Sequence, residues 1–367
     1  MINKRLYFLV TNSLHQDQRL HRIGESLSRA NYDIILVGVS SSLVDFKSEF
    51  YTTATIKPFF KRGFLFYLEV NIRFLVYLWS KRFDGVVAND LDTLLAAKLV
   101  SVIKRKKLFV DLHEYFTEVP ELENRVIKKA IWSKIGSLGI SSSSHNYTVN
   151  KSLTEILSKK YKSHFETIYN FPTLRESSKL SVSNKSFDIV YVGMVNKGRG
   201  IAEAILAIKD VQDVTLTIYG DGDLFGEIKE LITSHNLSDK IFLKGFIEGK
   251  DIHHILASYD LGINLLKPSS LNYFYSSANK YFDYIMAGVP SLSMKFPEYE
   301  KLNQEYETSV LIDTMDVMLI KATILKIKSD RELTTRLKLN CDSAKKVYNW
   351  KSQESKLLHI YDSAFNP

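Results

Sequence analysis

Apolar runs of strand length alternate with helix-length segments from the first residues of this chain, and the alternation occurs twice. In the first half, runs at 6–10, 33–39, 84–89, 107–113 and 146–150 are interleaved with helix-like segments at 17–30, 64–80, 91–104, 121–138 and 151–160. Parallel strands need a crossover between them and a helix is the usual one, so the pattern predicts a parallel sheet covered by helices on both faces. A polar, turn-rich stretch at 171–186 follows. The pattern then restarts with runs at 188–194, 214–222, 240–246, 260–266 and 289–294, and with helices at 200–208, 224–235 and 249–257. Two doubly wound α/β domains are the simplest fold class for such a chain. Ligands of these folds bind beyond the carboxyl ends of the strands, so a shared cleft is expected and the informative residues should directly follow strands.

At 367 residues, with 45% hydrophobic and 25% charged residues, the chain is long and apolar enough for two cores. Its single cysteine, Cys341, excludes an internal disulfide and a multi-cysteine zinc cluster and fits a reducing compartment. Run 6–10 fits a buried strand, and the residues after it are too polar for the cleavage region of a signal peptide. A cytoplasmic location is expected.

The net charge of +8 is lopsided: residues 1–170 hold 25 Lys and Arg against 16 Asp and Glu, and the remainder 24 against 25. A basic half implies an anionic partner, either a membrane or a nucleic acid. Nucleic acid would explain the charge but none of the residues that follow strands. At 59–82 the basic residues lie beside aromatics. Glu69 and Arg73 break the apolar run and argue against a transmembrane helix, leaving a core helix with solvated ends or an interfacial amphipathic helix.

Residues 276–290 read S-S-A-N-K-Y-F-D-Y-I-M-A-G-V-P. Ser276 and Ser277 fit a helix cap, and Gly288 with Pro290 fits its end. Asn279, Lys280 and Asp283 are expected on exposed first turns, where free amides and Lys280 favour a phosphate and Asp283 could hold a sugar diol. An ordinary amphipathic helix with a solvated Asn-Lys pair is the bland alternative.

The chain also resembles the retaining glycosyltransferases of family 4 (group 1), and in particular the type found in Bacteroidetes surface-polysaccharide clusters. The resemblance rests on D-Q-R-L-H-R-I (17–23), A-N-D-L-D-T (88–93), D-L-H-E-Y-F-T-E-V-P-E (111–121), V-N-K-G-R-G-I (195–201), G-D-G-D (220–223), L-N-Y-F-Y-S-S-A-N-K-Y-F-D-Y-I (271–285) and F-P-E-Y (296–299), in this order. It implies a GT-B arrangement of two Rossmann-like domains: an acceptor domain at 1–170, a nucleotide-sugar domain at 187–345, and a terminal helix at 346–367 that crosses back to the first domain on Trp350, Leu357, Leu358 and Tyr361. The implied function is sugar transfer from a nucleoside diphosphate sugar to a hydroxyl of a glycan or lipid-linked acceptor, in surface-polysaccharide synthesis. A non-catalytic GT-B partner protein and a nucleotide-sugar epimerase are the alternatives.

Position by position, the family's strand-end arginine is missing, because Met194 follows Gly193, while Arg199-Gly200 stands at its second cation. Lys280 and the helix amides near Ser276 and Ser277 would supply the balance. Of two family glutamates eight residues apart, Tyr275 replaces the one that contacts the sugar, and Asp283 replaces the one that binds ribose. Asn196, Lys197 and Gly220 line the implied donor site, and backbone at Phe246 and Ile247 reads the base, so the sequence does not distinguish uridine from guanosine donors. Charge on the departing diphosphate would be met by Arg199 and Lys280 without a metal or other cofactor. His113 would orient the sugar or acceptor from the first domain. Asp90, Glu114 and Glu118 are candidate acceptor contacts, with Asp92 a helix cap. Asp17 and Arg19 either reach the acceptor or pair with each other.

Overall fold

A computed structural model describes residues 3–14, 17–39, 48–175, 186–247 and 252–366. The linker stretch 176–185 and the start of the helix expected at 249 lie outside the described residues. The chain divides into two units, 1–170 with 352–367, and 171–351. Residues 346–351 and the first part of the linker therefore go with the second unit, not with a terminal segment or a separate connection.

The first unit runs β1 Arg5–Leu9, α1 Gln18–Arg29, β2 Asp33–Val39, β3 Thr52–Ile56, α2 Gly63–Trp79, β4 Gly85–Asn89, α3 Leu91–Lys104, β5 Lys107–Leu112, α4 Val126–Ile140, β6 His145–Thr148, α5 Lys151–Tyr161 and β7 Glu166–Thr167. Its strands form one parallel sheet in the order β3-β2-β1-β4-β5-β6-β7. The order reverses direction between β1 and β4, the switch point at which doubly wound sheets bind ligands. Side chains of β1, β4 and β5 are almost wholly buried, as expected of strands covered on both faces. Asp17 and Asn150 cap α1 and α5 by accepting the N–H of Leu20 and Leu153, each three residues on.

The second unit runs β8 Phe187–Val192, α6 Ile201–Ile208, β9 Val214–Tyr219, α7 Phe225–Ser234, β10 Ile241–Gly245, α8 Ile252–Leu256, β11 Leu261–Asn264, α9 Leu271–Phe274, α10 Asn279–Ala287, β12 Ser291–Met294, α11 Pro297–Glu305, β13 Ser309–Ile312, α12 Val317–Ser329 and α13 Arg331–Ala344. Its sheet is also all parallel, in the order β10-β9-β8-β11-β12-β13, with the switch between β8 and β11. The last helix, α14 Trp350–Phe365, belongs to the first unit from Ser352 onward. Its Leu357, Ile360 and Tyr361 are fully buried, and Tyr361 stacks on Phe109 of β5 at 4.4 Å between ring centroids.

Three expectations change. Strand β3 is short, polar and half-exposed, so it carries none of the apolar signal that marked its neighbours. The helix expected from 121 starts at Val126, because Phe116–Glu118 and Pro120–Leu122 make separate single turns. Helix α2 is not a core helix with solvated ends: Val70, Asn71, Phe74 and Leu78 are buried, while Leu65, Leu68, Ile72, Val76 and Trp79 face outward.

Candidate active site

In the first unit, the carboxyl ends of β4 and β5 assemble a chain of charged groups. Arg19, on the first turns of α1, is only 3% exposed. Its guanidinium grips Asp111 with two bonds, Nε to Oδ2 at 3.0 Å and Nη2 to Oδ1 at 2.9 Å, and Nη1 donates to the Ile168 carbonyl at 2.7 Å. A forked pair of this kind satisfies both ions after they leave water. Asp111 Oδ2 also meets His113 Nε2 at 3.0 Å, and Asp90 stands 3.6 Å from His113 Nδ1 while accepting the His113 N–H at 2.8 Å.

The charges follow from these neighbours. Burial works against a charged His113, but Asp111 and then Asp90 outweigh it and hold the imidazolium up to about 9. Burial pushes Asp111 upward, and Arg19 and His113 overcome that to leave it below the ordinary carboxylate value. Burial pushes Asp90 up to about 7, and Asp92 to about 6. Asp92 accepts from the Thr11 hydroxyl through Oδ2, while its Oδ1 is buried with no partner among the described residues.

Several expectations are thereby corrected. Arg19 pairs with Asp111 and not with Asp17, and it is buried. Asp17 caps α1. Asp90, at φ +64°, holds the cap position of α3 that was expected of Asp92, yet its side chain serves His113 and makes no cap bond. Glu118 is bound by Lys129 at 2.8 Å, and Glu114 is exposed.

In the second unit, β8 leads into Gly193 with φ +132°, and β9 leads into Gly220 with φ +142°. A Cβ on Gly220 would lie 1.8 Å from the Gly193 carbonyl oxygen, and one on Gly222 would lie 2.2 Å from Asn196 Oδ1. Only glycine lets these loops close to this degree. Asn196 ties them further by accepting the Asp223 N–H at 3.1 Å. Gly200, also left-handed, starts α6 directly after Arg199.

Helix α10 brings the decisive cation to the same place. Lys280 lies with its amine 3.6 Å from the centroid of the Tyr191 ring, and a Cβ on Gly193 would be 3.2 Å from that Nζ. The amine therefore stands at the end of β8, beside the position where Met194 leaves a charge missing. Burial, then the charge of Arg199, depress the Lys280 amine well below its usual range, with Asp283 opposing them. Arg199 itself lies over the Tyr273 ring at 5.4 Å.

Helix α10 departs from expectation at its start. The cap is Ala278, not Ser276 or Ser277, with no side-chain bond across the first turn; Ser276 Oγ donates to the Tyr273 carbonyl at 2.8 Å instead. Lys280 is buried, not exposed, whereas Asn279 is exposed. Asp283 lies 3.8 Å from His253 Nε2. Tyr275 ends α9, its ring against Phe274. Lys197 and Phe246 are exposed, and Ile247 is partly buried against a cluster that includes Val190 and Tyr284.

Residues 173–342, nearly all of the second unit, match the family model described as glycosyl transferases group 1. The second unit thus carries a group 1 glycosyl transferase domain, and the chain is a glycosyltransferase. Solved structures agree on the fold across the full length. Sucrose-phosphate synthase of Thermosynechococcus elongatus is similar at a TM-score of 0.79 and 13% identity, with 99% of each chain covered. The Anabaena protein HepE, solved with UDP and glucose, gives 0.76 and 15% over 98% of this chain and 100% of that one. A glycosyltransferase of Rickettsia africae gives 0.76 and 13% with both chains fully covered. No curated protein matches the sequence significantly. The glycosyltransferase thus has the GT-B fold of two Rossmann-like domains.

Sequence reasoning missed several groups that shape both sites of this glycosyltransferase. Tyr191 and Tyr273, the aromatic faces under Lys280 and Arg199, read as plain strand and helix residues. Asp111, inside the motif at 111–121, and His253 likewise carry no sign of their partners in the sequence. Tyr191 and Lys280 are 89 positions apart, and Arg199 and Tyr273 are 74 apart, so neither contact leaves a mark on linear spacing.

Proposed function

We propose that this glycosyltransferase takes a nucleoside diphosphate sugar at the end of β8 and moves the sugar, with its anomeric configuration retained, to a hydroxyl of a glycan or lipid-linked acceptor of surface-polysaccharide type. The observation that carries this is the Lys280 amine against Tyr191 and Gly193, with Arg199 close enough to influence its charge. In the transfer, the bond from the anomeric carbon to the diphosphate breaks and its electron pair goes to the phosphate oxygen. Arg199 neutralises that oxygen together with Lys280, whose proton the charge of an adjacent diphosphate favours; stabilisation of this kind is the largest electrostatic contribution such a reaction needs and requires no metal. The hydroxyl of the acceptor passes its proton to the departing diphosphate oxygen as the new bond to the anomeric carbon forms. Asp283 would take donor hydroxyls, and backbone at Phe246 and Ile247 would take the base. His113 holds a proton at neutral pH and both its nitrogens face carboxylates, so its part is to donate or to orient and not to act as a base. HepE was solved with UDP-glucose, and a uridine donor is the first to test here.

Purified protein incubated with a panel of nucleotide sugars and extracted acceptor should release nucleoside diphosphate with one donor. Arg199→Ala should lower turnover about a hundredfold and weaken nucleoside diphosphate binding in parallel. Folded protein that releases nothing from any donor, and binds no nucleoside diphosphate in calorimetry, defeats the proposal.

A further inference from the structure

We infer that the outward side of α2, α3 and α4 in the first unit is a docking face for an anionic lipid surface. Helix α2 presents Leu65, Leu68, Ile72, Val76 and Trp79 at spacings of three and four, which places them along one side of the helix. Val76 is 70% and Trp79 63% exposed. The outer side of a surface helix is ordinarily polar, and here the polarity is reversed. The face does not stop at one helix. Helix α3 packs against both α2 and α4, and it exposes Val102 and Ile103. Helix α4 adds Val126 and Ile127, each 77% exposed. Scattered exposed leucines are normal, but five apolar residues in a row along one helix, with more exposed on the helices beside it, mark a binding site.

The charges that interrupt the apolar run are used up within the face. The Glu69 carboxylate accepts the N–H of Phe59 at 2.8 and 2.9 Å and that of Phe60 at 2.9 Å, and it pairs with Arg73 at 2.6 Å. Its effect is to pin Phe59 and Phe60 at the start of α2, with their rings edge-on at 5.5 Å and Phe59 82% exposed. Cations flank the face. Lys61 and Arg62 are exposed at one end of α2, and Lys81 and Arg82 at the other. The Lys104 amine donates to the carbonyls of Trp79 and Lys81, at 2.6 and 2.8 Å, which brings exposed Arg105 and Lys106 beside that second cluster.

An apolar surface with cations at its ends matches the boundary of an anionic bilayer, where aromatic and aliphatic side chains enter the acyl edge and cations meet headgroup phosphates. Among the described residues no helix is long and apolar enough to cross a membrane, so the face lies on the bilayer and does not span it. The inference is independent of the transfer chemistry.

The test is flotation of the full chain with phosphatidylglycerol-containing vesicles and with pure phosphatidylcholine vesicles. The wild type should float with the anionic vesicles, less so at high salt, and Trp79 emission should shift to the blue, a shift lost in Trp79→Phe. Lys81→Ala/Arg82→Ala should weaken binding about thirtyfold, since each cation near an anionic surface contributes roughly one kcal/mol. Leu68→Glu/Val76→Glu should abolish flotation while leaving nucleoside diphosphate binding and the circular dichroism spectrum unchanged, which shows that it folds. Absence of flotation by the wild type, or flotation unaffected by both double variants, overturns the inference. So does a wild-type dimer that Leu68→Glu/Val76→Glu splits without any vesicle affinity, because the face would then be an interface between copies.

Discussion

At the scale of single residues, the least legible feature is the Arg19–Asp111 pair. The partners are 92 positions apart, and what joins them is the placement of β1 next to β4 and β4 next to β5, which no local spacing encodes. From sequence, Arg19 had only its neighbour Asp17 or an external ligand as partner. Because the pair is fully buried, Arg19→Ala should leave the Asp111 carboxylate without its main counter-charge and cost about 3–5 kcal/mol in urea unfolding. His113 gives the same cluster a pH signature. Its folded value of about 9 lies above the ordinary 6.5, so its favourable contribution is complete below about pH 6.5 and disappears as the pH rises through 9. Asp90 and Asp92, raised by burial from 3.8 to about 7 and about 6, act in the same direction at lower pH: the unfolded carboxyls ionise from about pH 4 while the folded ones still hold protons, so this part of the decline runs up to pH 6 to 7 and ends there. Thermal melts should therefore decline from neutral pH to about pH 9.5. In His113→Gln the part of that decline above pH 7 should vanish; an unchanged profile would show that His113 is not the group responsible.

At the scale of elements, much of the fold was legible, and the reasons are physical. Strand β2 and helix α3 fall where the sequence placed them because a continuous β-branched run and a helical period bounded by polar residues leave little choice. Gly288 ends α10 in the left-handed conformation expected of it. What the sequence did not resolve is the roll of α10 about its axis. Lys280 and Asn279 are adjacent, yet one is buried on Tyr191 and the other is exposed, and that depends on how the helix packs against β8 and β11. Nor did it resolve the cap: two serines precede the helix, but Ala278 holds the position in a conformation that suits a capping residue. An uncapped start keeps amide N–H groups available to an anion. Ala278→Ser should supply a hydroxyl to the Lys280 or Tyr281 amide and stabilise the protein by about 1 kcal/mol. The same hydroxyl should compete with diphosphate, so calorimetry should show weaker nucleoside diphosphate binding in a protein that melts higher. Tighter binding in Ala278→Ser would mean that these amides take no part in the site.

At the scale of the whole molecule, the chain forms most of its first unit, leaves it at Asn170, builds the second unit, and returns at Ser352. The first unit is therefore complete only when residues at the far end of the chain are in place. Tyr361 shows what the return contributes. It is fully buried, its ring stacks on Phe109, and its hydroxyl shares a 2.8 Å hydrogen bond with Tyr147, which is also fully buried. Tyr361→Phe removes the hydroxyl alone and should cost about 1 kcal/mol, plus the penalty of leaving the Tyr147 hydroxyl without this partner. Tyr361→Ala also opens a cavity against β5 and should cost about 3–5 kcal/mol. The diphosphate site proposed here is built from β8, β9, α6 and α10, all in the second unit. Calorimetry on Tyr361→Ala, at a temperature where it remains folded, should accordingly find nucleoside diphosphate affinity close to that of the wild type, while amide exchange in β5 and β6 accelerates. A variant that exchanges faster in β8 and β9 instead, or loses nucleotide affinity while its first unit stays protected, would show that α14 supports the second unit and not the first.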